Sequence, residues 1–406
     1  MITRGGRASS RRNHLPTYAP DIYTTAAIID PYPHYARMRE LGPVVWLARQ
    51  RVYALPRYPE SKAALRDDEN FRSGHGVALN PFSNHFSDGT TLNSDGADHE
   101  RRRKLVAHRM LPRALNAISA NVDEQAAAVV EAALARGEVD GVSDVATALP
   151  MAVVPDLVGW PRDSRGQLIA WGGATFDLLG PMNRHAVRAV PETLRMLRFA
   201  KRVIRDRAML DGSLGHDVLL AADEGQLTHD EAAALMIDYI APSIDTTMSA
   251  ISNALHLFAI HPEQWQKLRA DRSLVTKAIN EVIRYESPLR AFSRKVARDT
   301  ELGGVALPAG ARVLVMYASA NRDEREWDDP EVFDIQRDAG RHLGFGNGAH
   351  ACAGQGLARL ETAAMLNALL DRVERIELVG EPTWAVNNII RRHAQLPLKL
   401  VPAISA

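Results

Sequence analysis

Apolar and polar positions change period several times along the chain, and those changes mark out its elements. Pro33 to Leu41 predicts a short helix that stops at Gly42-Pro43. Val44 to Pro56 holds two runs rich in β-formers, Val44-Val45-Trp46-Leu47 and Val52-Tyr53-Ala54-Leu55, separated by Ala48 to Arg51 in the manner of a hairpin. Glu60 to Asp67 predicts another short helix. Phe71 to Gly96 mixes Gly, Ser, Asn, His and Asp with scattered Phe, the composition of a long irregular loop. Loops of that length inside a compact domain tend to serve function. From His99 to about Ile260 helical spacing dominates, broken near Gly137, Gly159-Trp160-Pro161, Gly180-Pro181 and Gly212 to Gly215. The longest helix is expected over Asp230 to Ile260, capped by Thr228, with Glu231 completing a capping box. A helix over about Leu274 to Tyr285 stops before Ser287-Pro288. Two β runs follow, around Glu301-Leu302 and over Arg312 to Tyr317, joined through Pro308-Ala309-Gly310. A last helix, over about Gly354 to Val373, precedes β-like pieces at Ile376-Glu377-Leu378 and Leu396 to Val401. No repeat or linker interrupts this order. Residues 21–406 are therefore expected to form one mainly α domain with small sheets, behind a disordered leader over 1–20.

Composition narrows the class without naming it. Apolar residues make up 46% of the 406 and charged residues 24%, ordinary for a globular chain with a large core. Basic and acidic residues balance at 49 each, so no net field draws nucleic acid, and none is expected as a partner. No uninterrupted apolar run approaches the roughly 20 residues of a membrane span. The least charged long segment, Tyr239 to Ile260, still carries Pro, Asp, Ser, Thr, Asn and His. Met1 to Pro20 is basic and Ser-rich but lacks the amphipathic spacing of a transit peptide. A single cysteine excludes an internal disulfide and fits a reducing compartment. A cytoplasmic monomer without membrane contact is the expectation.

That cysteine, Cys352, stands in Phe345-Gly-Asn-Gly-Ala-His-Ala-Cys-Ala-Gly354, just before the apolar spacing of the last helix. Free amides and the positive dipole end of a helix favour a thiolate there, and the glycines let backbone approach a bulky partner. An iron ligand needs such a setting. A buried structural cysteine, or a nucleophile with His350 or a distant histidine as base, fits the residue equally well.

The stretch also resembles a known signature. F-x-x-G-x-H-x-C-x-G, matched by Phe345, Gly348, His350, Cys352 and Gly354, is similar to the haem-binding motif of the cytochrome P-450 family. Glu281-Val-Ile-Arg284 resembles the family's Glu-x-x-Arg, and Pro330 to Arg337 its loop before the Cys. Ile244-Asp-Thr-Thr247 resembles its long central helix, and His99 to Arg103 its early basic helix. These come in the family's order and span about residue 30 to the C-terminus. The resemblance implies a mainly α P-450-like fold with haem b between the central helix and the helix after Cys352. Cys352 would be the axial thiolate, with His99, Arg103, Arg294 and His350 on the propionates. Glu281, Arg284 and Arg337 would form a buried charge network holding the Cys loop. It implies a monooxygenase using O2, with Asp245 and Thr246 delivering protons and a separate ferredoxin and ferredoxin reductase supplying electrons. No nucleotide fingerprint of the G-x-G-x-x-G kind is present to suggest a fused reductase.

One departure stands out. The family's Ala-Gly before x-Asp-Thr-Thr is replaced by Pro242-Ser243. Proline has no N–H for the carbonyl of Asp238 and clashes with it, so a kink is expected where the family opens an oxygen groove. Ser243 then faces the pocket or satisfies a freed carbonyl. Pocket walls are expected from His75, Val77, Leu79, Phe82 and Phe86, from Asp238 and Ala241, from Leu289, Arg290, Ala291 and Phe292, and from the Arg391-Arg392-His393 turn. His75, Arg290 and Arg392 are candidates for a polar group on the substrate. The substrate is expected to be hydrophobic, with small aromatic compounds as the analogy, and to be hydroxylated or O-dealkylated. A peroxide-driven haem enzyme, a non-catalytic haem-binding protein and a haem-free cysteine hydrolase remain as competing readings.

Overall fold

A computed structural model describes residues 15–87 and 89–403, apart from the side chains of Phe86 and Ala241. Eight helices build or flank the region of interest. They are α1 (Gly96–Ala107), α2 (Pro112–Arg136), α3 (Leu168–Leu179), α4 (Arg184–Arg205), α5 (His229–Ile237), α6 (Ala241–Ile260), α7 (Val275–Tyr285) and α8 (Gln355–Arg372).

The long helix expected over Asp230 to Ile260 is two helices. Its start is as read: Thr228 Oγ1 accepts from the Glu231 amide at 3.1 Å, and the Glu231 carboxylate accepts from the Thr228 amide at 3.0 Å. After Ile237 the amides of Asp238, Tyr239 and Ile240 turn to carbonyls three residues back, at 3.1, 3.3 and 3.0 Å. The chain thus tightens and ends α5 before Pro242. Pro242 then sits in the first turn of α6, where a missing N–H breaks no bond. The expected kink is therefore a complete break.

Beyond it, α6 crosses the centre of the molecule. Met248, Ile251, Leu255 and Phe258 follow helical spacing and pack with Ile279 and Val282 of α7 and Met365, Leu366 and Leu369 of α8. Each such side chain contributes roughly 1.5–3 kcal/mol when fully buried. Ile244, one turn nearer the break, joins a second cluster with Met196 and Phe199 of α4 and Leu235 and Met236 of α5. The central helix thus stitches two cores together.

The main sheet has six strands in the order Thr17–Tyr18, Val45–Leu47, Val52–Leu55, Arg312–Val315, Phe292–Val296 and Phe71–Arg72. The hairpin of 45–47 with 52–55 is antiparallel, as its β-rich runs predict. The leader expectation needs correcting at its end. Thr17 and Tyr18 pair with Trp46 and Leu47, because the exposed edge of that hairpin has backbone groups to satisfy. Residues 1–14 lie outside those described. Thr300–Leu302 pairs with Val305–Leu307 in a small hairpin, whereas 312–315 joins the main sheet. The Phe71 to Gly96 stretch is mostly loop but contains a short helix, Pro81–Phe86, capped by Asn80.

Two small sheets close the C-terminal side. Val373–Leu378 and Pro397–Pro402 pair with each other, and Glu138–Asp140 adds a third strand. Thr383–Trp384 pairs with His393–Gln395 and holds the loop 385–392 between them. Gly141–Val158 is the one segment among the described residues that is long and apolar enough to cross a membrane. It is 56% buried inside the protein, with Val145, Leu149 and Val153 in the central core.

Candidate active site around Cys352

The loop before α8 is shaped by its glycines. Gly346 and Gly348 have φ of 70° and 71°, a region that disfavours side chains, and a Cβ on Gly348 would lie 2.3 Å from the Leu65 carbonyl. This lets the chain double back so that the Cys352 amide donates to Phe345 O at 2.8 Å. Cys352 therefore sits just before the start of α8, partly exposed. Burial raises its thiol, while the amides of Gly354 and Gln355 and the charges of Arg103 and Arg359 pull the other way. Arg359 also lies over the Phe345 ring, 4.9 Å from its centre.

Behind the loop lies the charge network. Arg284 donates to both carboxylate oxygens of Glu281 at 2.7 Å, and both side chains are fully buried. Arg337 reaches the same carboxylate at 3.2 Å. Arg284 also donates to the carbonyls of Asn321 and Pro330, and Asn321 Oδ1 accepts from the Leu343 amide at 2.7 Å. The network thus clamps the chain on both sides of the Cys loop.

On the other side, His99 and Arg103 rise one turn apart from α1 toward the loop. The His99 and His350 rings lie 4.0 Å apart, and His99 Nε2 is buried without a partner. Burial, with His350 and Arg103 as neighbouring cations, lowers His99 to about 4. Arg294 is buried on the strand 292–296, donates to Ser293 O and contacts the Tyr317 hydroxyl. Among the described residues neither Arg103 nor Arg294 has an ion-pair partner. The acids facing the cluster are Asp95, 3.8 Å from His350 and bound to the amides of Ser73 and Gly74, and Asp68, whose charge also reaches His99. Cationic donors gathered with an orphaned imidazole nitrogen and so little opposing charge fit a bound dianion. The propionates of a haem held by Cys352 match that demand.

Past the break, Ser243 donates to the Tyr239 carbonyl, so its hydroxyl satisfies a freed acceptor. Thr246 donates to Pro242 O at 2.6 Å. Asp245 is buried, and burial raises its carboxyl against the pull of Arg392. Arg392 Nε lies 3.1 Å from Asp245 Oδ1, at an angle that leaves both carboxylate oxygens without a hydrogen bond. One carboxylate oxygen of the acid is therefore turned toward the C-terminal loop.

Several expected pocket residues have other tasks. His75 is exposed, and its carbonyl accepts from Arg312. Arg290 is buried and donates to the carbonyls of Ile28, Asn387 and Ile389, which tie its guanidinium to backbone. His393 is fully buried, stacked on Trp384 at 3.9 Å and beside His256 at 4.5 Å, and lowered by that burial to about 2. The Asp238 carboxylate accepts from the Thr91 amide at 2.7 Å and is raised by burial to about 6, a loop anchor rather than a pocket wall. Val77 and Phe292 pack in one core cluster, Leu289 bridges to Ile390, and Leu79 packs beside the N-terminal core. Ala241 falls outside the described side chains, as does Phe86. Phe82 does line a narrow cleft of about 60 Å³, with Thr90, Leu178, Thr193, Leu197 and Ile237. Its walls are the Pro81–Phe86 helix, α3, α4 and α5, and its lining is apolar with hydroxyls.

Two residues were not singled out from the sequence. Glu361 on α8 is buried with neither carboxylate oxygen hydrogen-bonded, and burial raises it to about 8. Asp177 on α3 is raised by burial to about 6 and accepts from the Asn388 amide at 2.8 Å. Only their tertiary surroundings set them apart from ordinary helix carboxylates.

The comparisons with known proteins agree with this geometry. The profile of the Cytochrome P450 family matches residues 178–378. Cytochrome p450 CYP199A2 of Rhodopseudomonas palustris is 34% identical over 393 residues, 96% of this chain and 95% of that protein. Cytochrome P450 monooxygenase PikC of Streptomyces venezuelae is 32% identical over 391 residues, 91% of each. Among solved structures, CYP109E1 from Bacillus megaterium in complex with testosterone superposes with a TM-score of 0.83 at 26% identity, covering 93% of this chain and 99% of that one. P450BioI, in complex with an acyl carrier protein ligated to hexadec-9Z-enoic acid, gives 0.83 at 27% identity, with 92% and 99% covered. The chain belongs to the cytochrome P450 family and is a haem-thiolate monooxygenase.

Proposed function

We propose that this enzyme uses dioxygen and two electrons from a separate ferredoxin and its reductase to hydroxylate or O-dealkylate a hydrophobic substrate, a small aromatic compound in the first instance. The observation that carries the reading is the placement of the one cysteine between a buried Glu–Arg network and a cation cluster with little opposing charge. Haem, when bound, supplies the activation of dioxygen and the oxidising power. Cys352 holds it through the thiolate, with the Gly354 and Gln355 amides stabilising the negative sulfur. Arg103, Arg294, His99 and His350 hold the propionates. Glu281, Arg284 and Arg337 hold the Cys loop itself, a structural rather than a chemical task. Thr246 holds a hydrogen bond at the oxygen side of α6, and Asp245 carries protons to it from the surface.

The apolar lining between α3, α4 and α5 supports a hydrophobic substrate approaching from that side. Two solved relatives point the same way through the molecules their structures hold, testosterone and a fatty acyl chain. We place the enzyme as a monomer with a single domain that includes the strand Thr17–Tyr18.

The reduced protein with carbon monoxide is expected to give a strongly red-shifted Soret band, lost in Cys352→Ser. A wild-type protein without that band overturns the assignment. Turnover with hydrogen peroxide as fast as with a reconstituted ferredoxin system would overturn the redox-partner half alone. Spin-state shifts on adding aromatic acids, phenols and terpenoids identify the substrate class.

A further inference from the structure

We propose that the cleft between the start of α3 and the outer face of α4 binds a small anion carrying two or more phosphate groups, free or on a nucleoside. None of its lining residues belongs to the Cys352 site, and binding there needs neither haem nor dioxygen.

The cleft measures about 570 Å³, within the range that small-molecule sites occupy. Its walls carry Arg195, Arg198, Lys201, Arg202 and Arg205, and no acid. The four arginines follow one another by three, four and three residues, so they share one face of α4. No Asp or Glu occurs between Thr193 and Arg205, although acids and bases balance over the whole chain. Like charges three or four residues apart on a helix repel, so an ordinary solvated face mixes both signs. This face concentrates one.

The cations keep most of their capacity for a ligand. Arg195 pairs with Glu192, Lys201 with Asp230 at 2.9 Å and Arg205 with Asp206 at 2.7 Å. These pairs are open to solvent and hold weakly. Arg198 and Arg202 form no ion pair among the described residues, though the charge of Asp206 reaches Arg202. The floor beneath them is aromatic and firm. Phe199 packs on Trp160 and Trp171, with ring centres 5.2 and 4.8 Å away, and Arg202 stands over Phe199 at 5.7 Å. That stacking steadies the guanidinium without neutralising it. Trp171 also lines the cleft, is 2% exposed, and its indole N–H has no acceptor. Buried donors are rarely left so, and an anion oxygen seated on this floor supplies the acceptor.

The chemistry of the walls selects the ligand. Each guanidinium presents paired donors to two oxygens of one phosphate, whereas lysine acts as a point charge. Several arginines in one small space call for several negative charges close together. A concave cleft with an aromatic floor suits a compact molecule rather than a flat anionic surface.

Calorimetric titration of the full-length protein with inorganic tripolyphosphate, at about 0.15 M salt to screen general attraction, tests the site. One anion per chain is expected to bind with a Kd below about 1 mM. Arg198→Gln combined with Arg202→Gln, both exposed positions, is expected to weaken binding roughly tenfold or more. Arg113→Gln combined with Arg188→Gln removes the same charge from exposed positions outside the cleft and is expected to leave the Kd unchanged. Trp171→Phe, which keeps an aromatic floor and removes the N–H, is expected to weaken binding by roughly fivefold. Replacing tripolyphosphate by ATP separates the two sources. Equal affinity assigns the phosphates alone, and tighter binding adds the nucleoside. Equal weakening in the two double variants shows attraction to net charge and overturns the site. Failure of both probes to bind at about 1 mM also overturns it, and co-sedimentation with phosphatidylglycerol vesicles in that case would reassign α4 to a membrane surface.

Discussion

Glu281 shows what one side chain does in this molecule. It is fully buried, yet it accepts two hydrogen bonds from Arg284, a third from Arg337 and a fourth from the Asp334 amide at 3.1 Å. Every donor belongs to the clamp around the Cys loop, so neutralising the acceptor leaves buried guanidinium charge unpaired. Glu281→Gln is expected to lower the unfolding free energy by about 3–5 kcal/mol and to leave the purified protein short of haem. Chemical denaturation and the haem-to-protein ratio measure the two effects; a loss under about 1 kcal/mol would reassign the network to a solvated pair. This residue, Cys352 and Arg337 were legible in the sequence because their motifs resemble those of the cytochrome P-450 family; spacing alone leaves Glu281 and Arg284 as an ordinary surface pair. His393 and Arg290 were not. Whether such a residue points into a pocket or against Trp384 and a row of carbonyls is decided by neighbours that approach from distant parts of the chain.

Among elements, the break between α5 and α6 carries the most information. Proline at position 242 was readable as a disturbance, and the bonding shows how the chain absorbs it. Three amides retreat to a tighter turn, and the Ser243 hydroxyl covers the Tyr239 carbonyl. Since Pro242 stands in a first turn, it breaks no helical bond there. Pro242→Ala is therefore expected to change the unfolding free energy by under about 1 kcal/mol, against about 3 kcal/mol for relief of a proline inside a continuous helix. Ser243→Ala leaves the Tyr239 carbonyl uncovered and is expected to cost about 1 kcal/mol. Urea unfolding of the two variants checks both, and the reverse ranking would mean that α5 and α6 are one strained helix. The capping box at Thr228 and the hairpin at 45–55 were legible because both are local in the chain. The strands 17–18, 71–72 and 138–140 were missed because two or three residues carry no periodicity, and their partners lie far along the sequence.

At the scale of the whole molecule, buried ionisable groups divide into two sets that pull stability in opposite directions with pH. Burial lowers His342 to about 3 and His393 to about 2, from an ordinary 6.5. The unfolded chain binds those protons first, so stability falls as pH drops below about 6.5. Burial raises Asp177 and Asp238 to about 6 and Glu361 to about 8. Here the folded state keeps the proton while the unfolded chain releases it, so stability is complete below the ordinary carboxylate range and is lost as pH rises through the folded value. The histidines have finished by about 6.5 and the two aspartates by about 6. From there to about 8, Glu361 is the largest remaining titration with an assigned value, at about 1.4 kcal/mol per pH unit. With neither oxygen hydrogen-bonded, nothing holds this buried carboxylate ionised. Wild-type protein is therefore expected to lose about 2 kcal/mol of unfolding free energy between pH 6.5 and 8. Glu361→Gln, which keeps shape and cannot ionise, is expected to flatten most of that slope. Parallel stability curves for the two proteins would show that Glu361 is already ionised at neutral pH, through a cation or water chain that reaches it between α6 and α8.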